Sequence, residues 1–144
     1  MLRSSVILEV IEIYIHARIY RMQVLIYAFM ILLMYFLAGM SKIASFSSTV
    51  DGLKAMLGGK MPNVIYRIAI IGAIILEIVA PLTIMLSLQT NMYQEYAYYS
   101  SIMLAIFTVL ATLIYHFPTN DSQYYPFMKN LTATGGLLLL STHF

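Results

Sequence analysis

Long apolar stretches separated by short polar ones organise this chain. From Met22 to Ser41 no residue is charged, and Arg21 and Lys42 bracket the run. A second stretch, Ile65 to Leu88, is interrupted near its middle by Glu77. The third, Tyr96 to Tyr115, lies free of charge between Glu95 and His116. The fourth and shortest, Phe127 to Leu140, follows Pro126 and carries Lys129 in its first turn. A helix rising about 1.5 Å per residue needs roughly 20 apolar residues to cross a hydrocarbon core about 30 Å thick. In lipid a backbone must satisfy its own polar groups, and a helix does so within one segment. The pattern therefore predicts an all-α protein, a four-transmembrane-helix bundle over residues 22–144. Pro126 suits the first position of the last helix, where no N–H bond is lost.

Four crossings put both ends of the chain on one side, side A, and the connections 43–64 and 116–126 on side B. The connections carry the expected interfacial residues. Tyr93, Tyr96, Tyr98 and Tyr99 form an aromatic belt on side A, with Tyr124 and Tyr125 as its counterpart on side B. Ser48 followed by Asp51 has the spacing of a capping box, which predicts a short interfacial helix over Thr49 to Leu57 closed by Gly58. Lys42, Lys54, Lys60, Arg67 and Lys129 fall on side B, against Arg3, Arg18 and Arg21 on side A. Counting basic residues thus favours side B as the inner side.

Residues 1–21 read differently from the rest. A basic residue near the start is a signal-peptide feature, but Glu9 and Glu12 interrupt what would have to be a continuous apolar core. On a helix, Ser5, Glu9, Glu12 and His16 fall within one arc, with Arg3, Arg18 and Arg21 on other faces. The segment is expected to be an N-terminal amphipathic, interfacial helix, or a surface that docks on a partner.

Composition narrows the classes. The 144 residues leave room for one domain, 61% hydrophobic and only 10% charged, where a soluble domain carries about 25% charged residues. Mean hydropathy is +0.84. The lipid bilayer is therefore the first partner. A net charge of +2 without a basic run sets nucleic acid aside. The absence of Cys removes disulfides, Cys-ligated zinc, iron–sulfur clusters and thiol chemistry. No redox centre or metal of its own is expected.

Chemistry concentrates on a few polar positions inside the spans. Glu77 sits near the middle of the second, and Pro81, four residues on, cannot donate to its carbonyl; a kink is expected there. An ionisable side chain at such depth faces the bundle interior with a partner. It serves as a proton relay, cation site or ligand hook, or simply knits helices together. In the third span Ala97, Ser101, Ala105, Thr108 and Thr112 recur at helical spacing, a face suited to close packing and interhelical hydrogen bonds. Ala28, Tyr35, Gly39 and Lys42 share a face of the first; Asn130, Thr134 and Ser141 share one of the fourth, beside Gly135 and Gly136. Lys42, Glu77, His116 and Asn130 would then line one polar site opening to side B. Direct Lys42–Glu77 contact is expected only if the first helix runs a turn or more past Lys42.

Three segments also resemble the DoxX family of small four-helix membrane proteins: FLAGMSK (Phe36 to Lys42), ILEIVAPLTIML (Ile75 to Leu86) and HFPTNDSQYYPFMKNLTATGG (His116 to Gly136). The matching positions are Gly39 and Lys42; Leu76 and Glu77; His116 and Pro118; and Lys129, Asn130, Leu131, Gly135 and Gly136. The resemblance covers about residues 26–140. Pro81 departs from it, standing where a small residue is expected, and the N-terminal helix is an addition. The resemblance implies an accessory role, as a partner of redox enzymes or a chaperone-like protein, and many members have no assigned activity. Three functions follow as expectations. The first is a non-catalytic accessory subunit of a larger membrane complex, of respiratory-chain type, in a mitochondrial inner or bacterial plasma membrane, with other membrane-protein subunits as partners. The second is the membrane component of a quinone-linked oxidoreductase, with a bound lipid or quinone. The third is a small transporter or channel, disfavoured by the single buried charge and the lack of an inverted repeat.

Overall fold

The computed structural model describes residues 2–118 and 121–144, with side chains from Ile7 onward. The side chains of Arg3 and Ser5, and the loop residues Thr119 and Asn120, lie outside the described part. Five helices make up the fold: α1 (Leu2–Ala44), α2 (Phe46–Met56), α3 (Asn63–Thr90), α4 (Gln94–Tyr115) and α5 (Asp121–Ser141). No strand occurs among the described residues. Three of the helices, α1 from Ile7, α3 and α4, are long and apolar enough to cross a membrane, and by that composition the chain is a membrane protein. With 21 residues α5 has a similar length, but Asp121, Gln123, Lys129 and Asn130 make it less apolar.

The four long helices run alternately up and down. Helix α1 packs on α3, α3 on α4, α4 on α5, and α5 returns to α1, closing a ring. One end, end B, gathers the end of α1, the start of α3, the end of α4 and the start of α5. The opposite half, towards end A, is filled by apolar side chains from every long helix: Ala28 and Leu32, Ile84 and Leu88, Ala97 and Leu104, Leu137 and Leu140. At end B a smaller cluster forms where Val50 and Leu53 of α2 press on Tyr66 and Ile70 of α3, with Phe46 and Tyr115 at its edge.

Element boundaries differ from the sequence expectation in three places. First, no break separates residues 2–21 from the span that follows: α1 is one helix of 43 residues. Apolar residues continue through Ile19, Tyr20 and Met22, and no glycine or proline interrupts them. Second, α2 begins at Phe46, and Ser48 lies inside it, so the Ser48–Asp51 capping box does not form. The backbone ladder explains this: Ser45 N–H donates to Ser41 and Thr49 N–H to Ser45, carrying helical bonding across the single turn residue at 45. The end of α2 is as expected for glycine. Gly58 and Gly59 adopt positive φ, and their amides donate to the carbonyls of Ala55 and Lys54, the reciprocal pair of a Schellman closure. Third, α5 begins at Asp121, so Pro126 sits within the helix and not at its first position. An acidic residue in the first turn favours that earlier start. The proline is tolerated because little more than one turn precedes it.

Helix α3 continues through Pro81 to Thr90, so the proline does not end it. The turn to α4 uses Asn91 and Tyr93, both left-handed at φ 57° and 63°. Asparagine takes that conformation readily, whereas an aromatic residue there is unusual.

Candidate functional site

The chemistry of the bundle centres on Lys42 and Glu77. Lys42 is on α1, two residues from its end-B terminus, and Glu77 lies fourteen positions into α3, which places it roughly 21 Å along that helix. Helical side chains lean towards their own N-terminus. In α1 that direction points from end B inward; in antiparallel α3 it points from the interior towards end B. The two side chains therefore lean towards each other. Lys42 Nζ donates to Glu77 Oε1 at 2.8 Å and to Oε2 at 2.7 Å. No further turn of α1 is needed, contrary to expectation, because the helix stops two residues later at Ala44.

Gly39 is what lets the helices meet at this level. A Cβ added to it would stand 2.9 Å from Ile78 Cγ1 and 3.1 Å from Glu77 Cβ. With hydrogen at that position, the backbone of α1 lies directly on the turn of α3 that carries the carboxylate. The glutamate side chain is 5% exposed and the lysine 26%. An ion pair in such a setting stands or falls with its geometry, since desolvation of both charges opposes it. Here both carboxylate oxygens are satisfied by one ammonium group.

Next to the pair the helices separate and leave a cavity of about 680 Å³. Lys42, Glu77, His116 and Asn130 all line it, together with Ser45, Thr49 and Leu53 of the α1–α2 turn and roof. The remaining walls are largely alanine and larger apolar side chains: Ala69, Ile70 and Ala73 from α3, and Phe107, Leu110 and Ile114 from α4. Glu77 marks the inner limit on α3 and His116 the end-B limit on α4. His116 Nδ1 donates to Gln123 Oε1 at 3.0 Å, which leaves Nε2 as an acceptor in the neutral ring.

One contact was not anticipated from the sequence. Tyr35 Oη and Thr108 Oγ1 are 2.7 Å apart, and the threonine hydroxyl donates onward to the Leu104 carbonyl. Its only proton being committed there, Tyr35 is the donor, and the pair links α1 to α4. The signal was present, since both positions stand on faces of small and polar residues, but nothing in a linear pattern says which two faces meet. The other hydroxyls of that α4 face behave differently from expectation. Ser101 and Thr112 are buried, yet donate to the Ala97 and Thr108 carbonyls of their own helix. Their role is to be small, and they make no interhelical hydrogen bond.

The two glycines of α5 also divide. Gly136 faces Ile31 of α1, whose Cδ1 would stand 2.9 Å from an added Cβ, whereas Gly135 faces open space. One residue of helix turns the direction by about 100°, so the packing expected of Gly135 within the bundle falls to Gly136. At the far end of α1, Glu9, Glu12 and His16 border a shallow surface depression, and His16 Nδ1 donates to the Glu12 carbonyl at 2.9 Å. That segment takes no part in the cavity. No group of three His, Asp or Glu side chains placed to hold a metal occurs among the described residues.

Fold and site together define a helical membrane protein with an interior ion pair, Lys42–Glu77, beside an apolar-walled cavity. Comparison with family models, with curated proteins and with solved structures finds no match to the chain.

Proposed function

We propose that this chain is a four-span, DoxX-like membrane protein and acts as a non-catalytic accessory subunit of a larger membrane complex, of respiratory-chain type. The fourth span in this reading is α5, whose position beside α4 and α1 completes the ring. The observation that carries the subunit role is the N-terminal part of α1. From Ile7 to Met22 every side chain is exposed, including Ile7, Leu8, Val10, Ile13, Tyr14 and Ile19. Burial within the bundle starts only near Val24 and Ala28.

Helix α1 has 43 residues, about 65 Å of helix, twice the roughly 30 Å of a hydrocarbon core. If the bundle occupies the membrane, the arm extends beyond it on side A. Uncovered apolar surface costs about 25 cal/mol per Å² in water, so the arm needs a covering. Its acidic and basic residues lie on opposite faces, with apolar residues between them, so lying flat on a headgroup layer would leave one apolar flank in water. A neighbouring subunit can enclose it on all sides.

Native gel electrophoresis after mild detergent extraction tests this. The full chain is expected to migrate with larger subunits. A variant lacking residues 2–21 is expected to be released from them while its circular dichroism and unfolding midpoint stay those of an intact bundle. Migration of the full chain as a free monomer from its native membrane would sink the proposal.

A further inference from the structure

The cavity beside Lys42 and Glu77 has a chemistry the subunit reading does not use. We infer that it is a binding site for an uncharged amphipathic molecule, one that presents a carbonyl oxygen to Lys42 and Asn130 and lays an apolar chain along the walls of α3 and α4.

Three observations on the site lead to this. Its size, about 680 Å³, falls within the range of small-molecule sites, about 300–1,000 Å³. Its walls are mostly apolar, with the polar groups confined to a few positions, the usual division between affinity and orientation. Its inner end is charged but neutral in sum. Glu77 takes two of the three ammonium hydrogens of Lys42, which leaves one donor and no net charge. A carboxylate or phosphate ligand would face the Glu77 oxygens across a few ångströms of low-dielectric space, where like charges repel strongly. An ammonium ligand would meet Lys42 in the same way. A carbonyl oxygen meets neither penalty. It accepts the spare Lys42 hydrogen, and the Asn130 amide, which also lines the cavity, supplies a second donor. The oxygen would thereby satisfy the part of the ammonium group left without a carboxylate.

A carbonyl of this kind occurs both in free ketone-like lipids and in the esters of uncharged glycerolipids, so the test contains both. Full-length protein in detergent micelles is heated alone and with matched additives at equal micellar mole fraction: 2-dodecanone, dioctanoylglycerol, dodecanoate, dodecylammonium and dodecane. Selective ligands of the native state raise the unfolding midpoint by mass action. The expected result is an increase with 2-dodecanone, with dioctanoylglycerol, or with both, the responding compound identifying the source. The charged probes and dodecane are expected to give less than half of that increase. An equal or larger increase with dodecane would overturn the carbonyl contact, leaving an apolar groove for any acyl chain. An equal or larger increase with dodecanoate or dodecylammonium would overturn the neutral-head argument, and no increase with either carbonyl probe would overturn the site.

Position is tested on the same protein. Asn130→Leu is expected to weaken the apparent dissociation constant of the responding probe on the order of fivefold, the loss of one hydrogen bond worth roughly 1 kcal/mol. Ala111→Phe, which fills the cavity from the α4 wall, is expected to abolish the response. Because a bulky variant can fail to fold, a diazirine analogue of 2-dodecanone is also photolysed on the unmodified protein. Labelling is expected in the peptides carrying Phe107, Leu110 and Ala38. Labelling confined to outward positions such as Ile68 and Val79 would overturn the assignment.

Discussion

The two halves of the bundle are built from similar residues and reach opposite results. Towards end A the helices close on one another: Ile84, Leu104 and Leu137 are fully buried, with Ala97 and Ser101 on α4 allowing the approach. Towards end B the same four helices diverge around a cavity, and what spans the gap is an ion pair and a short roof helix. Lipid chains are as apolar as leucine, so burial of apolar surface does not hold membrane helices together; close packing and polar contacts do. End A relies on the first and end B on the second. The half that diverges around the cavity therefore depends more on single residues.

Separating the ion pair is the strongest way to break this contrast. Lys42→Met leaves Glu77 buried without its partner and is expected to cost about 3–5 kcal/mol, measured by denaturant unfolding in micelles. Glu77→Leu should cost clearly less, because the 26%-exposed lysine can turn its ammonium group outward. The double variant should recover most of the larger loss. If both single variants cost the same, the burial asymmetry has no energetic weight.

Gly39 sets the next scale. Its replacement by leucine drives a side chain into Glu77 and Ile78 and is expected to cost about 1–3 kcal/mol, read in the same assay. Gly135→Leu, facing open space, should stay within about 0.5 kcal/mol. A larger effect of Gly135→Leu seen only in native membranes would point to a partner on that face.

Smaller effects come from two buried hydroxyls, Tyr35 beside the ion-pair level and Ser87 towards end A. Tyr35→Phe removes the hydrogen bond to Thr108 but leaves the threonine bonded to its own helix. The expected loss is about 0.6 kcal/mol, the average for such bonds in membranes, measured by a double-mutant cycle with Thr108→Val. Ser87 is buried and its hydroxyl is the one buried side-chain polar atom without a hydrogen-bond partner among the described residues. Ser87→Ala is expected to leave the unfolding midpoint unchanged or raise it slightly, since an unmade bond is lost together with its desolvation cost. A marked fall would mean that the hydroxyl is bonded in the membrane.

Much of the architecture could be read along the chain because hydropathy and helix length are local properties. The cores of α3 and α4 lie where the apolar runs placed them, and the buried face of α4 from Ala97 to Thr112 has the spacing read from its small residues. Boundaries were less legible. The start of α2 depends on hydrogen bonds carried across Ser45, and that of α5 on how many residues fit before a proline. Neither leaves a strong mark in residue type.

The candidate site divides in the same manner. The sequence by itself determined that Glu77 and Asn130 are polar groups inside apolar segments, that Lys42 and His116 stand at segment ends, and that a buried carboxylate needs a partner. Tertiary structure alone decided that Lys42 is that partner, because the lean of side chains on antiparallel helices brings together residues at different depths. It alone also decided that Gly39 and Gly136, and not Gly135, touch a neighbouring helix, and that Tyr35 finds Thr108. These are relations between faces of different helices. A linear pattern specifies each face, but the rotation and separation of the helices decide which faces meet and where a cavity is left between them.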